Sequence, residues 1–415
     1  MIAEILATGD ELRTGALVDS NSAQIAEALT ANGIEVVRHH TVGDDMGRLI
    51  AVIREIAGRA DVAVVTGGLG PTVDDLTAEA MAKAGGVALV EDSKALADIE
   101  AYFARRHRPV TAPNRKQALL PEGAAALYNP VGTAPGLRLK IDRCLFFCMP
   151  GVPFEMTRML ADQVLPQILA LQGHKHFCLI RTIATFGLPE SVVGEKVAEI
   201  STAFPRIKLG LRAKFPEIQV KLYLDSFDQA EGEELLVDAT TWVADRLGAY
   251  IFSLSGESLP AVVGRLLKER NATLALAESC TGGLVANWLT DIPGASDFFL
   301  LSAVTYANNA KQEILGVPLE TMIQNGAVHE KTAEAMAEGA RRISGADWGL
   351  SITGIAGPSG GSPEKPVGTV CIAVATARGT ISERRLFSYG KRLMNKRMFA
   401  MSALDMLRRM LESHP

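Results

Sequence analysis

Short apolar runs in this 415-residue chain repeatedly stop at a loop of glycine and hydroxyl residues, and a helical period follows each loop. That order constrains the fold more than any other feature. A strand that hands over to a helix and then to another strand builds a mostly parallel sheet with helices on both faces. Residues 2–7 stop at Thr8-Gly9-Asp10-Glu11, a helix is expected over 21–31, and the next strand over 34–38. A helix over 46–57 leads to a strand over 61–66, then to Gly67-Gly68-Leu69-Gly70-Pro71-Thr72-Val73-Asp74-Asp75 and a helix over 77–84. Near the other end, the strands 273–277 and 348–353 and the strand end at 303–306 enter three more such loops. In α/β sheets these loops share the carboxyl edge, where ligands bind.

The C-terminal loops carry the chemistry. Ser279 and Thr281 sit between a strand end and Gly282-Gly283, where unpaired N–H groups and the helix dipole favour negative charge. A serine there has donors close by for an oxyanion, although Ser and Thr are also common helix caps. No histidine is near Ser279 in sequence. Lys311 could act as its base if burial or a neighbouring cation lowers its pKa, and Tyr306 could relay or position the proton. A solvated helix lysine and a packed tyrosine are the alternatives. Thr353 and Gly354 open a third loop that contains Gly357. Its glycines permit close backbone approach, and such loops cradle phosphate. Arg392 is either a phosphate clamp or a surface arginine of the last helix.

These segments resemble the C-terminal domain of the CinA family, the nicotinamide mononucleotide deamidase domain. The matching residues are Ala277 to Gly283, Val304 to Lys311, Thr353 to Val370, and Gly390-Lys391-Arg392. The resemblance implies a serine amidohydrolase with Ser279 as nucleophile and Lys311 and Tyr306 assisting. It would convert nicotinamide mononucleotide and water to nicotinic acid mononucleotide and ammonia, with no cofactor.

In the N-terminal half, Gly67, Gly68 and Gly70 follow a strand as in a phosphate loop, but no Walker lysine and no GxGxxG spacing is present. A kinase or ordinary dehydrogenase is therefore disfavoured. The adjacent carboxylates Asp74 and Asp75 suit a divalent cation beside a phosphate; alternatively Asp75 caps the next helix and Asp74 is solvated. Asn129, Gly132 and Thr133 lie in a second glycine loop. With Gly67, Gly68 and Thr72 they are candidate substrate contacts. The segments around Thr66 to Thr77, Asn129 to Gly136 and Pro150 to Met156 resemble the MoCF-like, molybdopterin-binding-like domain at the N-terminus of CinA proteins. That resemblance implies an ADP-ribose pyrophosphatase that needs a divalent metal ion.

The expected fold class is α/β throughout: a MoCF-like α/β domain over 1–172, a small α+β linking module over 173–252, and a C-terminal α/β deamidase domain over 253–415. The formal charge of −5 gives no support for a direct nucleic-acid partner. Five scattered cysteines form no disulfide framework, and no run reaches membrane-spanning length. A cytoplasmic enzyme of small nucleotides is expected, and the resemblance suggests a homodimer. A molybdopterin-binding protein and a competence- or damage-related interaction protein remain as alternatives.

Overall fold

The computed structural model describes residues 1–172, 177–387 and 389–413. The first four residues of the expected linking module, 173–176, lie outside the described residues. Two compact units emerge: Met1–Ile180 with Leu224–Glu233, and Arg181–Tyr223 with Glu234–Pro415.

The first unit is built on six strands: β1 (Ile2–Thr8), β2 (Glu35–Val42), β3 (Val62–Thr66), β4 (Ala125–Leu127), β5 (Gly136–Ile141) and β6 (Cys144–Met149). Their order is β2-β1-β3-β6-β5-β4. The first four run parallel, and β5 and β4 add an antiparallel margin. Alternate residues of β1 and β3 feed two cores. Leu6, Ala63 and Val65 pack with Leu49 and Ile53 of helix α2 (Met46–Arg59). Ala3, Ile5 and Val64 pack with Ile25 and Leu29 of α1 (Ser20–Ala31). A strand covered on both faces is apolar at nearly every position, which is why 62–65 reads as a continuous run and 2–7 is interrupted only by Glu4, whose buried carboxylate pairs with Arg59. Asp19 and Asp45 start these helices by accepting from the Ser22 and Arg48 N–H groups. Helix α3 (Thr77–Gly85) follows the glycine loop, and α4 (Pro153–Met159) follows β6.

The module over 177–253 is a four-stranded sheet. Its strands are β7 (Phe177–Thr185), β8 (Ile207–Lys214), β9 (Glu217–Ser226) and β10 (Ile251–Ser253), in the order β8-β9-β7-β10. Helices α5 (Glu190–Val197) and α6 (Gln229–Leu247) complete it. Sequence reading misses β8, whose run Ile-Lys-Leu-Gly-Leu-Arg-Ala-Lys carries a glycine and two lysines. Helix α5 stops at Val197, and one more turn follows at Ile200–Ala203.

The C-terminal sheet contains β11 (Leu274–Glu278), β12 (Phe299–Val304), β13 (Trp348–Gly354), β14 (Thr369–Thr376) and β15 (Gly379–Leu386), ordered β12-β11-β13-β14-β15. β12, β11 and β13 are parallel, so their carboxyl ends share one edge. Helices α7 (Leu284–Thr290), α8 (Asn308–Leu315), α9 (Glu330–Ser344) and α10 (Arg392–Ser413) flank it. Met336 and Ala340 of α9 cover Ala275 and Ala277 on one face, and Phe399, Leu404 and Leu407 of α10 belong to the core on the other. Cys144, Cys148, Cys280 and Cys371 are buried free thiols. Among the described residues no helix is long and apolar enough to cross a membrane.

The contact of α9 with β13 is close enough to need a glycine. A Cβ on Gly349 would overlap the Ala337 carbonyl of α9. Gly349→Ala is expected to push the helix off the sheet and lower stability by about 1–3 kcal/mol. All three tryptophans, 242, 288 and 348, lie in the second unit. Urea unfolding followed by tryptophan fluorescence therefore reports the loss as a lower midpoint.

Candidate functional site

The chain leaves β11 through Ser279-Cys280-Thr281-Gly282-Gly283 and enters α7. Ser279 donates its N–H to the Ile352 carbonyl of β13 at 3.0 Å, which fixes the serine against the sheet edge. Gly282 and Gly283 have φ of 62° and 87°, so the turn doubles back through left-handed backbone that favours glycine. The N-terminus of α7 is capped by neither Ser279 nor Thr281. Buried Glu278 does it: its carboxylate accepts from the N–H groups of Gly283 (3.0 Å), Val285 (3.2 Å) and Ala286 (2.9 Å). The Gly283 N–H is therefore already paired with Glu278. Thr281 is fully buried, and its hydroxyl has no hydrogen-bond partner.

Lys311 reaches Ser279 from the first turns of α8. Its Nζ lies 3.2 Å from Ser279 Oγ, 2.7 Å from the Thr305 carbonyl and 3.2 Å from the Tyr306 carbonyl. Lys311 is 1% exposed and Ser279 is 8% exposed. Among the described residues no carboxylate pairs with Lys311. Burial pushes its pKa below the ordinary lysine value. A neutral amine has two N–H donors and one lone pair. In the structure Nζ donates to all three oxygens, the two carbonyls and Ser279 Oγ; when the amine is neutral, its lone pair is the group that accepts from the serine hydroxyl.

Tyr306 is placed differently from its expected relay position. Its side chain is 62% exposed, and its hydroxyl accepts from Arg392 Nη2 at 3.1 Å. Its backbone carbonyl, not its phenol, touches Lys311. Arg392 Nη1 donates to the Gly357 carbonyl at 2.7 Å, so the arginine ties the second and third loops together. Gly357 has φ 81°, and a Cβ there would overlap Val367. A Cβ on Gly354 would crowd the Thr369 carbonyl at 2.6 Å. Thr353 is buried and donates its hydroxyl to the Ala327 carbonyl at 2.7 Å, a structural bond rather than an open substrate contact. Lys396, which sequence reading misses, lies one helical turn beyond Arg392, and its Nζ would be 3.6 Å from a Cβ on Gly282. The spacing i, i+4 on a helix is the signal that could have found it.

In the first unit, a cavity of about 340 Å³ opens at the carboxyl ends of β1, β3 and β6. Gly67, Gly68, Asp74, Asp75 and Thr133 line it, as do the unforeseen Glu11, Asp44 and Glu155. A Cβ on Gly67 would lie 2.5 Å from the Thr8 carbonyl, and one on Gly68 would overlap the Thr77 hydroxyl. Thr72 donates its N–H and hydroxyl to Asp75 Oδ2, so Asp75 locks its own turn and does not cap α3. Lys116 closes the same turn by donating to the carbonyls of Thr72 (2.7 Å) and Asp75 (3.2 Å). Asn129 is spent on its loop: it accepts from the Val131 and Gly132 N–H groups and donates to Ala134 O and Glu155 Oε2. Gly132 is small because the Glu155 carboxylate packs where its Cβ would stand. Asp44 has its pKa raised by burial and then by the charges of Asp10, Glu11 and Asp74, although the Asp10 N–H partly opposes this.

Among the described residues no three of His, Cys, Asp and Glu are grouped to hold a metal ion alone. The crowded charge around Asp44 nonetheless fits a cation that completes its coordination from a bound phosphate, as magnesium often does. A larger cavity of about 560 Å³, lined by Arg341, Trp348 and Arg378, contains none of the residues above.

Comparison with known proteins covers nearly the whole chain. Residues 4–170 match the family model described as "Probable molybdopterin binding domain". Residues 180–253 match "Damage-inducible protein CinA KH domain", and residues 256–411 match "CinA C-terminal domain". A CinA-like protein of Desulfosudis oleivorans is 50% identical over 412 residues, covering 99% of this chain and all of that one. A CinA-like protein of Desulforapulum autotrophicum is 46% identical, covering 99% of this chain and 98% of that one. A crystal structure of a CinA protein of unknown function from Thermoplasma acidophilum is 34% identical, with a TM-score of 0.38, and covers 41% of this chain and 99% of that one.

The buried Glu278 carboxylate generates a stability prediction. Glu278→Gln keeps the shape but loses the charge and one acceptor oxygen. A fall of about 1–3 kcal/mol in stability is expected from donors left without partners. The measurement is the urea midpoint of the tryptophan signal, and an unchanged midpoint would show that α7 does not need the carboxylate.

Proposed function

The chain belongs to the CinA family, and on that basis, together with the Ser279–Lys311 pair, we propose that its C-terminal domain is an amidohydrolase of nicotinamide mononucleotide. The observation that carries the reading is a desolvated lysine amine 3.2 Å from a serine hydroxyl at the carboxyl edge of a parallel sheet. Lys311 takes the proton from Ser279 as Oγ attacks the carboxamide carbon. The C–N bond then breaks, and Lys311 returns the proton to the departing ammonia. Water enters the same position, gives a proton to Lys311 and bonds to the acyl carbon; the bond from that carbon to Oγ then breaks, Lys311 passes its proton to Oγ, and the product leaves as its carboxylate. Thr281 lies in the turn next to the attacking oxygen, and its backbone N–H is the oxyanion donor in this reading. Arg392 and Lys396 face the turn as cations for the substrate phosphate. Tyr306 holds Arg392 in place through its phenol.

A second reading, for the first unit, is supported by its carboxylate-rich cavity. There the chain cleaves ADP-ribose to AMP and ribose 5-phosphate. Asp44 and Asp74 would hold a divalent cation, which supplies charge neutralisation at the diphosphate. The backbone of Gly67 and Gly68 lets the diphosphate approach, while Thr72 and Asp75 keep the loop in shape.

Ser279→Ala is expected to lose roughly 10³–10⁶-fold in ammonia release from nicotinamide mononucleotide. Lys311→Arg retains its proton and is expected to lose roughly 10²–10⁴-fold. In the wild type, kcat/KM should rise with pH through the lowered lysine pKa and level off above it, because only the neutral amine accepts a proton. Near wild-type turnover in Lys311→Arg would remove the base role. In the first unit, Asp74→Asn should weaken magnesium binding in a calorimetric titration and leave ammonia release untouched. Equal magnesium binding by wild type and Asp74→Asn would remove Asp74 as a ligand.

A further inference from the structure

The family places a KH module between the two catalytic regions, and KH modules clamp single strands with a Gly-x-x-Gly loop. Residues 180–253 contain no Gly-x-x-Gly. The module meets the C-terminal domain in several places: Ala184, Phe186 and Phe252 belong to its core, and the Ala249 carbonyl accepts from Arg408. A further contact is the tip of the β8–β9 hairpin, the two residues Phe215 and Pro216. Lys214 pairs with Glu217 across that tip at 3.1 Å, and Gln219 donates to the same carboxylate at 2.9 Å. The tip is therefore braced from within.

Phe215 is half-buried and packs against the C-terminal core. Its ring meets that of Tyr389 edge to face, with centroids 5.2 Å apart and an interplanar angle of 77°. Tyr389 belongs to the short connection between β15 and α10 that ends in Arg392. The Tyr389 carbonyl accepts from Asn395 Nδ2 at 2.9 Å, and the same amide donates to the Ala356 carbonyl at 3.1 Å. Asn395 is fully buried. One buried amide thus fixes the start of α10 to the loop whose Gly357 carbonyl Arg392 also holds. A continuous set of contacts runs from the hairpin ring to the guanidinium that binds Tyr306. Beside the hairpin tip, a cavity of about 310 Å³ separates it from Trp288 and Arg397.

We propose that Phe215 of the KH module is a positioning residue of the C-terminal site: it seats Tyr389 and so aims Arg392 at the anionic end of the substrate. The proposal rests on the amidohydrolase reading only for the identity of the substrate. It makes the module, without its nucleotide clamp, a structural part of the neighbouring site. The affected quantity is affinity for the phosphorylated substrate. The Ser279–Lys311 pair belongs to other elements and keeps its geometry.

The test uses the full chain. Phe215→Ala is expected to raise KM for nicotinamide mononucleotide by about twofold to tenfold, the scale of one lost ring contact, with kcat unchanged. Phe215→Tyr should restore the wild-type KM. In an Arg392→Ala background, Phe215→Ala should have no further effect, because its influence passes through the guanidinium. Multiplying effects in the double variant, or an unchanged KM in Phe215→Ala, would overturn the proposal. If Phe215→Ala fails to fold, Phe215→Leu keeps the bulk and loses the ring, and the same comparison applies. If the wild type releases no ammonia, the amidohydrolase reading fails by itself. Hydrogen exchange then decides the positioning role: faster exchange at Asn395 and its neighbours in the ring-deficient variant supports it, and unchanged exchange overturns it.

Discussion

The burial of Lys311 is the constraint on which the C-terminal domain turns. A lysine amine out of water and without a carboxylate is costly when charged, so the surroundings favour its neutral form. That environment is assembled from three separate elements. β11 ends at the serine turn, β12 ends just before the Thr305 and Tyr306 carbonyls, and α8 delivers the lysine between them. Parallel pairing of β11 with β12 brings these ends level. An antiparallel strand at the same place would put Thr305 at the far edge of the sheet.

Many residues in the glycine and hydroxyl loops hold the loops themselves. Thr353, Thr72 and Asn129 are bonded to nearby backbone or to a carboxylate within the fold. Gly132, Gly354 and Gly357 are small because a carboxylate, a carbonyl or a valine occupies the space a side chain would take. Glu278 consumes three backbone donors at the helix end nearest the serine. The consequence is a division of labour. Backbone and short polar side chains shape the loops, and a few charged side chains set the charge beside them. In the second unit these are Lys311, Arg392 and Lys396; in the first they are Asp44, Asp74 and their acidic neighbours.

The two units solve the same problem with opposite charge. Both present the carboxyl ends of parallel strands to a ligand. One surrounds its cavity with carboxylates and raises the pKa of Asp44. The other places a desolvated amine and two further cations around one turn. In the proposed reactions a cation would accompany phosphate at the first surface, whereas guanidinium and ammonium groups would meet it directly at the second.

The sequence by itself determined the alternation of strands and helices, because apolar runs buried on both faces and punctuated by glycine admit few other arrangements. The helix over Asn308–Leu315 and the parallel strands before the serine and threonine loops were legible for that reason. The CinA resemblance marked Ser279 and Lys311 as a pair, 32 positions apart. Only the tertiary structure decided what each loop residue does. Glu278 is one more acidic residue until α7 folds over it, and Asp44 is remote in sequence from the Asp74 it repels. β8 was missed because its lysines and glycine weaken the apolar pattern, and its hairpin tip matters only once Tyr389 lies against it. Hydrogen bonds and ring contacts between distant segments leave no period in the chain, so they become visible only when packing brings the segments together.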